Sequence, residues 1–164
     1  MSKSMSKEDA KLKNQYQSMT AKEHIRKKPD TYIGAVEEDT IRYWSLNEDH
    51  FKFKDYKWVP GFYKCFDEAI VNARDHIVRM KMSKDKKKIL VKNISVNIDK
   101  EEGIISIMND GNGIDVAMHP KDKKWIPEMI FMHLRTSTNY DDDEKKLVGG
   151  KNGFGIKLVF IFAK

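Results

Sequence analysis

The sequence predicts an α/β domain in which antiparallel strand pairs are combined with helices. Three observations predict this class. Two segments alternate apolar and polar residues around short turns, one long amphipathic helix lies between them, and a glycine-rich turn leads into an apolar run. A chain of 164 residues is long enough for one domain with a real core but not comfortably for two.

The first strand pair is predicted between 44 and 59, where aromatic residues alternate with charged or polar ones around a turn at 47–49. Upstream, 16–26 is expected to carry a helical turn or two. The segment KKPDTYIG (27–34) contains a proline and a glycine and is predicted to be a loop.

The clearest helix is predicted for 62–80, where apolar residues recur at three- and four-residue steps and form one stripe. This stripe comprises Phe62, Phe66, Ala69, Ile70, Ala73, Ile77 and Met80. Beside it, Glu68, Asn72 and His76 follow at intervals of four and share one edge of the helix. Such an edge is ordinarily a solvated border of the core, but Asn72 is a poor helix former that solvent-facing positions do not require.

A second strand pair is predicted over 92–99 and 104–109, and its second strand ends in NDGNGID. Asp110 and Gly111 favour a tight turn there, which is compatible with a plain hairpin turn or with a site at the strand end. A further helix is predicted from about 125 to 135. Its residues that point partly inward are Ile126, Met129, Ile130, Met132 and His133, and the histidine is interpreted as structural.

The segment VGGKNGFGIKLVF (148–160) places four glycines within seven positions and continues as an apolar run. Glycines allow backbone N–H groups to approach a ligand closely, and at a helix start these groups bind phosphate. A flexible loop before a buried strand or helix is the alternative. The spacing excludes a P-loop and the G-x-G-x-x-G fingerprint, since Ile156 follows the last glycine and no further glycine comes after it.

Composition narrows the class of protein. Hydrophobic residues make up 40% and charged residues 34% of a chain that lacks an apolar run of membrane-spanning length. The single cysteine, Cys65, excludes an internal disulfide framework and favours a reducing, intracellular compartment. The net charge of +6 is only a hint of nucleic-acid binding, because the lysines are interleaved with acids.

Two polar segments are expected to lie outside the core. Residues 1–15 are basic and aperiodic, which predicts a disordered arm. Residues 135–146, RTSTNYDDDEKK, lack an apolar stripe and are predicted to form a lid or a binding loop.

The order of these motifs along the chain resembles the nucleotide-binding boxes of the GHKL superfamily. In detail, EHIRKKPDTYIG (23–34), FDEAIVNARDH (66–76) and TSTNYDDDEKKLVGGKNGFGIKL (136–158) are similar to the ATPase domain of a eukaryotic-type DNA topoisomerase II. The resemblance implies a GHKL (Bergerat-type) two-layer α/β sandwich, with a mixed or antiparallel sheet covered by helices on one face. It also implies that 16–164 is a partial GHKL domain, truncated before the family's last strands, transducer and DNA-cleavage domains.

The resemblance assigns roles to single residues. Glu68 would be the general base, Asn72 the ligand of Mg²⁺, and Asp110 the acceptor for the amine of adenine. Ser137, Thr138 and Asn139 match residues that contact ribose and phosphate. The phosphates would be wrapped by Gly150, Lys151, Asn152, Gly153, Phe154, Gly155, Ile156 and Lys157. Tyr16 matches the arm tyrosine that reaches the nucleotide of the other protomer.

The function that the resemblance implies is the ATP-operated gate of a type IIA topoisomerase, with ATP and Mg²⁺ as cofactors. Its partners would be DNA, through the full-length enzyme, and a second copy of the chain, and its location the nucleus or a viral replication site. A truncated nucleotide-binding module with little or no turnover, another GHKL branch, and a basic nucleic-acid-binding protein are the alternatives. Asp110, Lys151 and Phe154 replace the Asn, Arg and Tyr usual in cellular enzymes, and NARDH replaces NAADN, which suggests a divergent lineage.

Overall fold

The structure, a computed structural model, describes residues 18–83, 85, 87–134 and 153–163. In chain order, the elements are α1 (Ala21–Lys27), α2 (Asp30–Ile33), β1 (Asp39–Asn47), β2 (His50–Trp58), α3 (Pro60–Met82), β3 (Ile94–Asp99), β4 (Ile104–Asn109), α4 (Ile126–Met132) and α5 (Gly155–Phe162). The predicted arm over 1–15 and the predicted lid over 135–146 lie outside the described residues.

The strands form two separate antiparallel pairs within the described ranges. β1 pairs with β2 in a register that brings Trp44 opposite Phe53, and their rings lie 5.0 Å apart between centroids. β3 pairs with β4, so that Val96 faces Ile107 across the ladder. Both predicted strand pairs are confirmed, and the strands show the antiparallel form of the expected sheet.

Helix α1 confirms the helical turns predicted near the N-terminal end, and a capping box begins it. The Glu23 N–H donates to Oγ1 of Thr20 at 3.3 Å, while the Thr20 N–H donates to Oε2 of Glu23 at 2.8 Å. Two otherwise unsatisfied N–H groups are thereby paired, which is the usual gain of this motif. The single buried residue of α1, Ile25, faces the core.

The prediction of a loop over 27–34 is wrong for Asp30–Ile33, which form the short helix α2. Pro29 explains the difference, because its ring fixes φ near the helical value and its φ is −61° here. The carbonyl of Pro29 accepts hydrogen bonds from the N–H groups of Tyr32 and Ile33 at 2.9 and 2.8 Å. A proline read as a loop signal therefore starts a helix.

Helix α3 confirms the long predicted helix and extends it by two residues at each end. Ala73 and Met80 of the predicted stripe are buried, but Phe62 is 65% exposed, so its inward assignment is wrong. The first turn packs through Gly61 instead, whose N–H donates to the Ala35 carbonyl at 2.8 Å. A Cβ atom on Gly61 would lie 3.1 Å from that oxygen, so a glycine allows the close approach.

Helix α4 confirms the last predicted helix but is shorter, over Ile126–Met132. Met132 is 69% exposed, so its inward assignment is wrong, whereas Met129 and Ile130 are half-buried as expected. The ring of Phe131 packs 5.2 Å from that of Phe160, which joins α4 to α5. Within the ranges given above, no helix combines the length and apolar character needed to cross a membrane.

The buried core joins the first and the last described helices. Ile25 of α1 and Ile33 of α2 pack with Leu158 and Ile161 of α5, and each is at most 9% exposed. The half-buried residues packed around them are Tyr32, Cys65, Leu134, Phe154 and Phe162. Helix α5, which follows the glycine-rich turn, is therefore placed by apolar contacts with the N-terminal helices.

Candidate functional site

One edge of helix α3 carries Glu68, Asn72 and His76, as the four-residue spacing predicts, and all three are half-buried. Each side chain makes a different contact. Glu68 reaches the start of α5, Asn72 bonds back to its own helix, and His76 reaches the turn after β4. One edge of α3 therefore contacts the glycine-rich turn at one end and the Asp-Gly turn at the other.

The carboxylate of Glu68 lies directly against the first residue of α5. A Cβ atom on Gly155 would overlap its Oε2 atom, so only glycine fits beside this carboxylate without a shift. The other oxygen, Oε1, forms an ion pair with Nζ of Lys64 at a distance of 2.7 Å. Lys64 lies one turn earlier on α3. This contact raises the pKa of Lys64, so its ammonium stays charged next to the carboxylate.

The N-terminus of α5 has the properties of an anion site. The backbone N–H groups of its first turn have no acceptor within the helix, as in any α-helix, and no side chain among the described residues caps them. The helix dipole adds a partial positive charge at the same place. Gly153, just before the helix, adopts a φ of 62°, the left-handed conformation that glycine tolerates best.

Lys157 is 3% exposed, and its Nζ donates to the Gly153 carbonyl at 2.7 Å. Burial lowers the pKa of its ammonium from the ordinary value. Because C=O and N–H point in opposite directions within one trans peptide, this bond turns the Phe154 N–H away from Lys157. The lysine thus holds the glycine-rich turn in one orientation.

Asn72 is oriented by its amide nitrogen, whose Nδ2 donates to the Glu68 carbonyl at 2.5 Å. Its Oδ1 oxygen is therefore directed away from that carbonyl. Amide and carboxylate oxygens are the ligands that Mg²⁺ prefers, and the ion commonly takes one or two from the protein and the rest from phosphate and water. The Oδ1 oxygen of Asn72 fits such an ion as its one protein ligand.

Asp110 follows β4, and its carboxylate is held by the chain before β3. Oδ1 accepts from the N–H groups of Lys92 and Asn93 at 2.7 and 2.9 Å, and Oδ2 accepts from Nδ2 of Asn93 at 2.8 Å. These hydrogen bonds lower the pKa of Asp110 to about 2. An exposed Oδ2 with one donor keeps a further lone pair for a ligand.

The residues after Asp110 are held against the same segment. A Cβ atom on Gly111 would overlap the Val91 side chain, and Asn112 exchanges two hydrogen bonds with the backbone of Ile89. On the other side, Nε2 of His76 lies 2.5 Å from the Asn112 carbonyl oxygen. The turn is thus fixed between the 89–93 segment and helix α3.

Several predicted site residues lie outside the described ranges: Tyr16, Ser137, Thr138, Asn139, Gly150, Lys151 and Asn152. The structure brings Glu68, Gly153, Phe154, Gly155, Ile156 and Lys157 together at the start of α5 and places Asn72 one turn beyond Glu68 on α3. The turn that follows Asp110 is connected to the far end of the same α3 edge through Asn112 and His76. Two contacts were missed in the sequence. Lys64 could have been found from its spacing of four to Glu68, whereas nothing in the sequence marks Asn93 as the partner of Asp110.

Comparisons with known proteins identify this arrangement. Residues 59–164 match the sequence model of the histidine kinase-, DNA gyrase B- and HSP90-like ATPases. The chain belongs to this family. The resemblance to type II topoisomerases is also confirmed: the chain is 49% identical over 152 residues to DNA topoisomerase 2 of Meyerozyma guilliermondii and 48% identical over 158 residues to that of Acanthamoeba polyphaga mimivirus.

Solved structures support the same GHKL ATPase fold. The ATPase region of Saccharomyces cerevisiae topoisomerase II superposes with a TM-score of 0.83 at 48% identity, covering 92% of this chain and 38% of that one. The ATPase and transducer domains of DNA topoisomerase II from Balamuthia mandrillaris give 0.80 at 40% identity, covering 89% and 36%. The two sequence relatives are matched over 92% and 93% of this chain, which spans 10% and 12% of their length.

Proposed function

We propose that this chain is the ATP-binding and ATP-hydrolysing part of a type II DNA topoisomerase. The observation that carries the proposal is the contact of the Glu68 carboxylate with the uncapped start of α5 at Gly155. A carboxylate beside an anion-binding helix start brings a proton acceptor to the place where a terminal phosphate would bind. The edge of α3 formed by Glu68, Asn72 and His76 then continues to the Asp-Gly turn, where a base would bind.

In this mechanism, Oε2 of Glu68 accepts the proton of the attacking water. Lys64 is bonded to Oε1, which leaves Oε2 facing α5. The positive charge of Lys64 also reduces the repulsion between the carboxylate and a phosphate. The N–H groups at the start of α5 hold the phosphate oxygens, and Lys157 keeps the preceding turn in place. Gly150, Lys151 and Asn152 would complete the loop around the phosphates.

Asn72 would hold Mg²⁺ in this site through its Oδ1 atom, while Glu68 serves as the proton acceptor. When bound, the ion would supply positive charge that offsets the negative charge of the phosphates. Asn72 presents Oδ1 for this purpose because its Nδ2 is engaged by the helix backbone. Ser137, Thr138 and Asn139 would contact ribose and phosphate.

Asp110 would select adenine by accepting a hydrogen bond from its exocyclic amine at Oδ2. Guanine presents a carbonyl at the corresponding place, which cannot donate to a carboxylate, so the contact would be lost. The hydrogen bonds from Lys92 and Asn93 keep the carboxylate ionised and fixed in direction.

In the whole protein, ATP binding would close a homodimeric gate and couple hydrolysis to DNA strand passage. Tyr16 would reach the nucleotide of the partner protomer. The relatives matched are named DNA topoisomerase 2 or DNA topoisomerase 2-alpha, and they come from Meyerozyma guilliermondii, a mimivirus, Pisum sativum and Cricetulus griseus. We place the protein in the nucleus or at a viral replication site accordingly.

The test is nucleotide binding and hydrolysis by wild type and Glu68→Gln. We expect a non-hydrolysable ATP analogue with Mg²⁺ to raise the melting temperature of both proteins, and Glu68→Gln to lower hydrolysis by about 10²-fold or more while affinity stays within a few-fold. Asp67→Asn is the matched control, since Asp67 shares Lys64 with Glu68 but is not the residue against Gly155. Equal hydrolysis in the two variants would contradict the role of Glu68.

The second candidate is a nucleotide-binding module with little or no turnover. The match to solved ATPase regions does not favour it over ATP hydrolysis. Binding of the ATP analogue without measurable hydrolysis by wild type would establish this candidate. Absence of binding by wild type would overturn both.

A further inference from the structure

The turn that carries Asp110 is held on two sides. On one side, three successive residues are attached to the extended segment 89–93, as described above. On the other side, helix α3 reaches the turn through the half-buried side chain of His76, whose Nε2 is 2.5 Å from the Asn112 carbonyl oxygen. A carbonyl oxygen only accepts, so Nε2 carries the hydrogen and donates it, in the neutral and in the charged ring alike.

The two attachments differ in rigidity. The segment 89–93 is outside the helices and strands, and Leu90, Lys92 and Asn93 are exposed. Helix α3, by contrast, is a continuous helix of 23 residues whose backbone hydrogen bonds fix the position of each residue along one axis. The contact of His76 therefore determines where the turn lies relative to the helix.

His76 and Glu68 stand eight positions apart on the same edge, which is roughly 12 Å along the helix axis. At one end of this distance, Glu68 touches Gly155, and at the other, His76 holds Asn112. The spacing between the phosphate end and the base end of the site is consequently set by one rigid element.

We propose that His76 is a positioning residue for nucleotide selectivity, a role that rests on the proposed function. By holding Asn112, it places the carboxylate of Asp110 where the amine of a bound adenine can reach it. It does not touch the nucleotide itself. Loss of its N–H would let the turn and the attached 89–93 segment shift together relative to α3, which weakens the base contact and leaves the phosphate contacts at the start of α5 in place.

The experiment compares wild type, His76→Leu and His76→Gln in their affinity for non-hydrolysable analogues of ATP and GTP, each with Mg²⁺. Gln carries an N–H donor at about the reach of Nε2, whereas Leu has similar bulk and no donor. We expect His76→Leu to lower the affinity for the ATP analogue about five- to tenfold and to change the affinity for the GTP analogue by no more than about twofold. His76→Gln should restore most of the preference.

His50→Leu is the matched control, since His50 lies in the β1–β2 hairpin and bonds to Asp49 there. It should leave both affinities unchanged. Equal weakening of both analogues in His76→Leu would mean a merely structural role and overturn the inference, as would an unchanged ratio or an equal effect of Leu and Gln. If wild type binds neither analogue, the proposed function fails and the inference fails with it. If wild type prefers ATP and His76→Leu keeps that preference, the inference alone fails.

Discussion

At the scale of the residue, the site depends on close approach between a carboxylate and a glycine. Gly155 begins α5, and the space that a side chain would need there is occupied by Oε2 of Glu68. The neighbouring atom is the end of a flexible side chain, so it can move at a small energetic cost. Function and stability should therefore respond differently to a change at this position.

For Gly155→Ala, we expect hydrolysis to fall about 10²-fold, because Glu68 must leave its place, while the free energy of unfolding changes by less than about 1 kcal/mol. Steady-state ATP hydrolysis and chemical denaturation measure the two effects. Gly113→Ala is the control, since a Cβ atom on Gly113 meets nothing within 4 Å. A hydrolysis rate in Gly155→Ala equal to that of the control would argue against a catalytic Glu68.

Asp110 should contribute to stability only where its carboxylate is ionised. Its pKa is about 2 in the folded chain against an ordinary value of 3.8, because three donors favour the ionised form. A lowered pKa means that the contribution is fully present above about pH 4 and is lost as the pH falls through 2. We expect the loss of stability between pH 4 and pH 2 to be smaller in Asp110→Asn than in wild type.

Denaturation midpoints measured from pH 5 to pH 1.5 test this expectation, with Asp115→Asn as the control because Asp115 is also exposed. The profile of the control should run parallel to that of wild type. Parallel profiles of wild type and Asp110→Asn would show that the hydrogen bonds from Lys92 and Asn93 do not favour the ionised carboxylate.

At the scale of the element, α1 is a helix of seven residues that presents one residue to the core. Isolated helices of this length are unstable in water, so the capping box and the tertiary contact of Ile25 hold it together. We expect Thr20→Ala to lower the free energy of unfolding by about 1 kcal/mol, because a paired N–H group loses its acceptor. Chemical denaturation measures this change.

Two controls accompany Thr20→Ala. Lys22→Ala, at an exposed position of the same helix, should change stability by less than about 0.5 kcal/mol. Glu23→Gln keeps a group that can accept from the Thr20 N–H and should also be mild. A cost in Lys22→Ala as large as that in Thr20→Ala would indicate that the helix, and not its cap, is sensitive.

Periodicity predicted the elements that are long and regular. The four-residue steps of α3 and the alternation of both hairpins are local properties of the chain, so they were read correctly. The periodicity of apolar residues shows which face of a helix is turned toward the core. It does not show how much of that face is covered by other elements. Phe62 and Met132 lie on predicted inward faces and are exposed, because no neighbouring element extends that far among the described residues.

The candidate site was predictable where its motifs are local and not where contacts are distant. The edge formed by Glu68, Asn72 and His76 followed from spacing alone. The attachment of Asp110 to Asn93 joins residues 17 positions apart through an irregular segment, and no sequence pattern announces it. The helix after Pro29 was missed for another reason, since the φ that a proline ring fixes is compatible with a loop and with a helix start alike.

At the scale of the whole molecule, one apolar cluster connects the two ends of the described chain. Ile25 is completely buried in it, against residues of α2 and α5. We expect Ile25→Ala to destabilise the fold by about 3 kcal/mol, since it removes buried methyl groups and leaves a cavity. Because the proposed anion site lies at the start of α5, the affinity for a nucleotide should fall together with the stability of the fold.

Chemical denaturation and a thermal-shift titration with an ATP analogue measure both effects. Val116→Ala is the control, because Val116 is 79% exposed and its truncation should cost less than about 0.5 kcal/mol. If Ile25→Ala were as stable as this control, the apolar cluster would not be what fixes α5.

This cluster also dictates when the protein can acquire its site during synthesis. Arg26 and Ile161, whose guanidinium and carbonyl meet at the cluster, are 135 positions apart in the chain. A contact of such high separation forms only after closure of the loop between the two residues. On the ribosome, the N-terminal helices must wait without their packing partners until the segment containing Gly155 has left the exit tunnel.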